Sequence, residues 1–126
     1  MHRSRLAGFI MDCRTDDLDQ AAQFWSAALG MPLKPAAEET SPLYRQLMTG
    51  PNEVHAEVQK VEHESRVHID IETDDIEAEV RRLEALGAKR VGAVKDWCVM
   101  QAPTGQRFCV VRPQRADFKE RANVWK

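Results

Sequence analysis

In RVHIDIE (66–72) a histidine and two carboxylates, His68, Asp70 and Glu72, occupy alternate positions, with Val67, Ile69 and Ile71 between and before them. Successive side chains of an extended chain point to opposite faces, so this spacing puts the imidazole and both carboxylates on one side and the three aliphatic residues on the other. An imidazole beside carboxylates is suited to general acid–base chemistry, because neighbouring charges shift each group's pKa. The stretch also has a twin. DCRTDDLDQ begins at Asp12 and DIETDDIEA at Asp70; Asp12/Asp70, Thr15/Thr73, Asp16/Asp74 and Asp17/Asp75 are identical, and Leu18/Ile76 and Asp19/Glu77 are conservative changes. A repeat with a period near half the chain means two copies of one supersecondary unit, which makes Asp12 the counterpart of Asp70.

The elements that must position these residues follow from periodicity. Residues 7–14 alternate Phe9, Met11 and Cys13 with Ile10, Asp12 and Arg14, the pattern of a strand. Asp16 is then placed to cap a helix with Asp19 reaching back, and Leu18, Ala21, Ala22, Trp25, Ala28 and Leu29 recur at helical spacing until Gly30 and Pro32. From 33 to 59 the Gly50-Pro51-Asn52 turn and flanking alternations predict two or three short antiparallel strands. The second copy repeats the order. A strand over 66–72 leads to a helix capped by Asp74 with Glu77, striped by Ile76, Val80 and Leu83 and stopped at Leu86-Gly87; strands over 89–93, 97–101 and 106–112 follow, the last two joined by Pro103-Thr104-Gly105. Each copy reads βαβββ, and the class is α+β. The expectation is a single domain over 1–126, with unit one over about 6–60, unit two over about 66–112 and a C-terminal tail over 113–126, in which only Phe118, Val124 and Trp125 are strongly apolar and whose Trp125 docks at the mouth of the binding site or on a second subunit.

Composition narrows the partners. With 126 residues, 43% hydrophobic and 30% charged, the chain is an ordinary globular one. A formal charge of −2 with both signs interspersed offers no broad basic field to nucleic acid and no polybasic patch to a membrane. There is no uncharged apolar run long enough to span a bilayer, and MHRSRLAGFIMD lacks the apolar region of a secretory leader, so a cytoplasmic protein is expected. Cys13, Cys98 and Cys109 form no CxxC or zinc-knuckle spacing and read as free thiols of a reducing compartment.

Two βαβββ units, each opening with a strand, a TDD segment and an LG helix stop, together with HIDIETDDIEAEVRRLEALGAKRV (68–91) and WCVMQAPTGQRFCVV (97–111), resemble the vicinal oxygen chelate superfamily of glyoxalases, bleomycin-resistance proteins and extradiol dioxygenases. The likeness runs from about Leu6 to Arg112 and is most specific for the small glyoxalase-like proteins. It implies that the two units pair into a curved mixed sheet forming a cup for a small organic molecule and often a divalent metal. It also implies a homodimer, since a second chain usually completes or buttresses such cups.

The resemblance assigns roles residue by residue. Phe9, Met11, Cys13, Val67, Ile69 and Ile71 would pack on the helices, while Ile10, Asp12, Arg14, His68, Asp70 and Glu72 would line the concave side. If the opening strands lie side by side, His68, Asp70 and Asp12 converge as a catalytic set, with His55, Glu72, Arg14 and Cys109 as ligand-binding residues. The superfamily's metal positions fall on Ile10, His55, His68 and Cys109. Ile10 has no lone pair, and Cys109 stands where a Glu is usual, so a hard octahedral ion is poorly served and no cofactor is expected. If a divalent metal is present, zinc on His55, His68 and Cys109 is the best fit. Other readings stay open: His68 hydrogen-bonded to Asp70 or Asp12, His55 on a solvated strand, Cys109 in the core, or Arg14 or Arg107 paired with the acids. The implied activity is that of a lyase, isomerase or oxygenase; the alternative is a non-catalytic small-molecule binding or resistance protein of the bleomycin-resistance type.

Overall fold

Thr15 and Thr73 set the start of both long helices. In this computed structural model, which describes residues 1–94 and 96–126, the Thr15 hydroxyl accepts from the Asp17 amide at 3.0 Å, and the Asp17 carboxylate accepts from Gln20 N at 3.1 Å. Thr73, Asp75 and Ala78 repeat the arrangement at 3.1 and 3.0 Å. The caps are therefore Asp17 and Asp75, each one residue beyond the Asp16 and Asp74 expected from sequence. A threonine hydroxyl that engages the amide two residues on makes a turn, and that turn delivers the second aspartate to the cap. Asp74 instead accepts from Arg3 N at 2.8 Å.

The elements run β1 (His2–Arg14), α1 (Leu18–Leu29), β2 (Tyr44–Gln46), β3 (His55–Val61), β4 (Arg66–Thr73), α2 (Ile76–Ala85), β5 (Lys89–Val94), β6 (Trp97–Gln101), β7 (Arg107–Val111), α3 (Phe118–Arg121) and β8 (Asn123–Trp125). This is an α+β protein, and its strands pair both parallel and antiparallel. Among the described residues no helix is long and apolar enough to cross a membrane. The chain forms two compact units, Gly8–Val67 and Met1–Ala7 with His68–Lys126.

In Gly8–Val67, β3 runs parallel to β1 and antiparallel to β2. The first copy's remaining strand shrinks to a single bridge, Leu33 to Leu47. Helix α1 packs over β2 and β3, and Met11, Ala22, Leu47 and Val58 form the core with Trp25 and Leu33 against it. Gly8 lies opposite His55, where an added Cβ would stand 2.5 Å from the His55 carbonyl oxygen; only glycine fits there. Helix α1 ends on Gly30 at φ 67°, a left-handed cap.

In the other unit β7 runs parallel to β4, β6 antiparallel to β7, and β5 antiparallel to β6 with a bulge between Arg90 and Gly92. Helix α2 packs over β5, β6 and β7 on a core of Val80, Leu83, Cys98, Met100 and Val110. The tail lies on its own chain, where β8 pairs antiparallel with His2–Ser4 of β1. The Trp125 indole donates to Ser4 Oγ at 2.8 Å, with the Arg82 guanidinium 4.0 Å over its ring. Beneath them the fully buried Glu79 accepts from His2 and from both arms of Arg82, each at 2.8 Å. Burial pushes the Glu79 carboxyl up, but hydrogen bonds from Arg82, His2 and Ser4 outweigh it and hold the group below its ordinary 4.5. Its contribution is thus complete above that pH and is lost as pH falls through the folded value.

One expectation about faces fails. Met11, Cys13 and Ile71 pack on the cores, but Phe9, Val67 and Ile69 are 43%, 59% and 42% exposed. Each helix lies mainly over the later strands of its own unit, so the helix side of the opening strands β1 and β4 is left partly uncovered.

Candidate functional site

Three strands of the second unit position the chemistry. Asp70 of β4 pairs with Cys109 of β7, and Cys109 with Val99 of β6, so these three side chains form one row on the face away from α2. His68 lies two residues before Asp70 on that face, its Nε2 3.4 Å from Asp70 Oδ1. Both side chains are partly shielded, at 12% and 19% exposure. The donor atoms of His68, Asp70 and Cys109 lie within 4.8 Å of one another. Asp70 Oδ1 is buried and accepts no hydrogen bond among the described residues.

An imidazole against a carboxylate can carry a proton while the carboxylate balances the charge. The same three groups are also chemically competent for a divalent ion: imidazole, thiolate and carboxylate are all zinc ligands, and three of them leave a fourth position for a substrate oxygen. Asp70, with its unsatisfied buried oxygen, is the donor that the sequence reading left out of the metal set. The alternation that put it beside His68 for acid–base work was already the signal that it belongs with His68 and Cys109.

The other expected site residues are placed as follows. Asp12 is buried, 3.8 Å from Arg66 Nε and 4.0 Å from His63 Nε2, two partners that sequence reasoning missed. Arg14 is exposed, and its amide donates to Ser65 Oγ at 3.0 Å. His55 opens β3 opposite Gly8. Glu72, expected to face a ligand, is corrected: it is fully buried and enclosed by Arg5, Arg115 and the tail backbone. The amides of Gln114 and Arg115 and the side chains of Arg5 and Arg115 close over its carboxylate.

Residues 8–111 match the family described as glyoxalase-like domain. The fold is shared with the solved NAD-dependent benzaldehyde dehydrogenase from Legionella pneumophila, at TM-score 0.60 and 8% identity over 83% of this chain and 99% of that one. It is also shared with a glyoxalase/bleomycin resistance protein/dioxygenase superfamily member from Vibrio splendidus, at 0.51 and 18% over 85% and 98%. A methylmalonyl-CoA epimerase in complex with methylmalonyl-CoA and NH4+ matches at 0.51 and 14% over 90% and 98%. No curated protein sequence matches the chain. Because the family match spans most of the chain, including β4, α2 and all three later strands of the second copy, the chain belongs to the glyoxalase-like family of the vicinal oxygen chelate superfamily.

Proposed function

We propose that this protein binds a small organic carbonyl compound on the face bearing His68, Asp70 and Cys109 and moves a proton on it, as an isomerase or lyase of the glyoxalase-like kind. The observation that carries the reading is the His68–Asp70 pair, 3.4 Å apart and partly shielded from water. His68 takes the proton from the carbon beside the carbonyl and returns it; Asp70 fixes the ring and stabilises the imidazolium. Free Cys13, Cys98 and Cys109 support a reducing, cytoplasmic setting. The test is NMR in heavy water with a panel of small 2-substituted carbonyl acids, following loss of the signal of the proton next to the carbonyl. Exchange that needs His68 supports the reading. Binding without exchange by the wild type overturns it in favour of a non-catalytic binding protein.

The clustering of His68, Asp70 and Cys109 favours a second reading, a metal-assisted one, in which a bound zinc-like ion would polarise the substrate carbonyl. The expected metal content of protein purified without chelator or immobilised nickel is less than about half an equivalent of divalent ion. A full equivalent of zinc, lost on Asp70→Asn or Cys109→Ser and kept on His55→Ala, would establish the metal-assisted reading instead.

We also propose that a second copy sits over the exposed Phe9 and Val67 of the unit Gly8–Val67. Phe9 and Val67 are large, apolar and exposed at corresponding places in the repeat, which suits a two-fold contact. Light scattering should give twice 14.4 kDa for the native chain and the single mass for Val67→Glu. A native mass of 14.4 kDa would dispose of the dimer.

A further inference from the structure

We propose that Arg107, oriented by Gln101, is the anion subsite of this face, and that the substrate is a small monocarboxylate with an apolar body; this rests on the face being the site argued above. Phe108 pairs with Ile69, so Arg107 lies beside His68, one residue earlier on each strand. Gln101 pairs with Arg107, and Lys89 with Gln101. One rung across four strands therefore reads His68, Arg107, Gln101, Lys89, and the next reads Asp70, Cys109, Val99. A row of positive and neutral donors thus borders the acid–base pair, with Val99 and Val111 offering apolar surface beyond it.

Arg107 stands apart from its neighbours. Every other arginine of this unit except the exposed Arg121 lies within 4.0 Å of a carboxylate. Arg107 is partly buried, and among the described residues its polar partner is neutral, Gln101 Oε1, which accepts from Nε at 3.1 Å. A partly buried guanidinium without a counter-charge is unfavourable, so the position favours an incoming anion. With Nε engaged, the two Nη groups remain as a planar fork that matches the two oxygens of a carboxylate. Neighbouring strands lie about 4.8 Å apart, so a carboxylate on Arg107 puts the next carbons of a short acid within reach of the His68 side of the row.

The test uses full-length protein with phenylacetate and its neutral isostere phenylacetamide as probes, followed by calorimetry and by the Arg107 Nε–H resonance. Phenylacetate should bind at least ~10-fold more tightly than the amide, as expected for a hydrogen-bonded charge pair, and should move the Arg107 resonance. Arg107→Gln should remove the preference while leaving amide binding unchanged, and Arg107→Lys should keep part of it. Equal affinity for the two probes, an unchanged phenylacetate affinity in Arg107→Gln, or an unmoved Nε resonance in the wild type each overturns the proposal; the last holds even if the variant does not fold. His68→Gln separates the two levels. Lost proton exchange with the carboxylate preference intact supports both, whereas an unchanged exchange rate with the preference intact sinks only the acid–base role.

Discussion

Replacing Glu72 with alanine is expected to lower stability by about 3–5 kcal/mol, or about 10–20 °C in Tm, in a protein of this size. Glu72 Oε2 accepts from Arg5 Nε at 2.8 Å and from Arg115 Nε at 2.9 Å, while Oε1 accepts from the amides of Gln114 at 2.5 Å and Arg115 at 3.2 Å. Arg5 continues to Asp117 at 2.6 Å and lies 5.7 Å over the Phe118 ring, and Arg115 also reaches the Leu6 carbonyl. Removing the carboxylate strips two guanidiniums, 12% and 7% exposed, of the acceptor they share and leaves Arg5 with Asp117 as its remaining carboxylate. That is the situation in which a buried pair becomes costly to break. Glu72→Gln keeps an acceptor for the two tail amides and should lose less. Urea unfolding followed by circular dichroism reads both. A loss under ~1 kcal/mol for the alanine would mean that this network behaves like a surface ion pair.

The second large effect is catalytic. His68→Gln should slow substrate proton exchange by about 10²–10⁴-fold, the range that a positioned general base contributes. Stability should change by no more than about 1 kcal/mol, since glutamine keeps a polar side chain of similar reach at this partly shielded position. Asp70→Asn should slow exchange too, because the imidazolium loses the carboxylate 3.4 Å away. If His68→Gln unfolds the protein and the surviving fraction exchanges at the native rate, His68 is a structural histidine and the proposed function fails.

Local signals carried much of this fold and less of its site. The TDD repeat located both helices, and strand alternation placed His68 and Asp70 on one face. The caps slipped by one residue because Thr15 and Thr73 hydroxyls decide which aspartate reaches the helix. Glu72 looked like its neighbours on the strand because its partners, Arg5 and Arg115, are remote in sequence, and no periodicity connects them. The exposure of Phe9, Val67 and Ile69 was hidden for a similar reason: alternation says which side a residue faces but not where along the strand a helix covers that side. Arg107 was read only as a partner for the acids, whereas the pairing of β7 with β6 gives it to Gln101.

The antiparallel pairing of His2–Ser4 with Asn123–Trp125 has a consequence for how the chain comes off the ribosome. Everything that Gly8–Val67 needs for its core is contiguous and is made early. The first seven residues are different. Their partners Glu72, Glu79, Arg115, Asp117 and Trp125 lie 67 to 121 residues further along the chain, so Arg5 and Ser4 wait until those segments are made. Residues 2–6 are thus made ahead of the segments that secure them, and the buried Glu72 acquires its full set of partners only once Gln114 and Arg115 emerge.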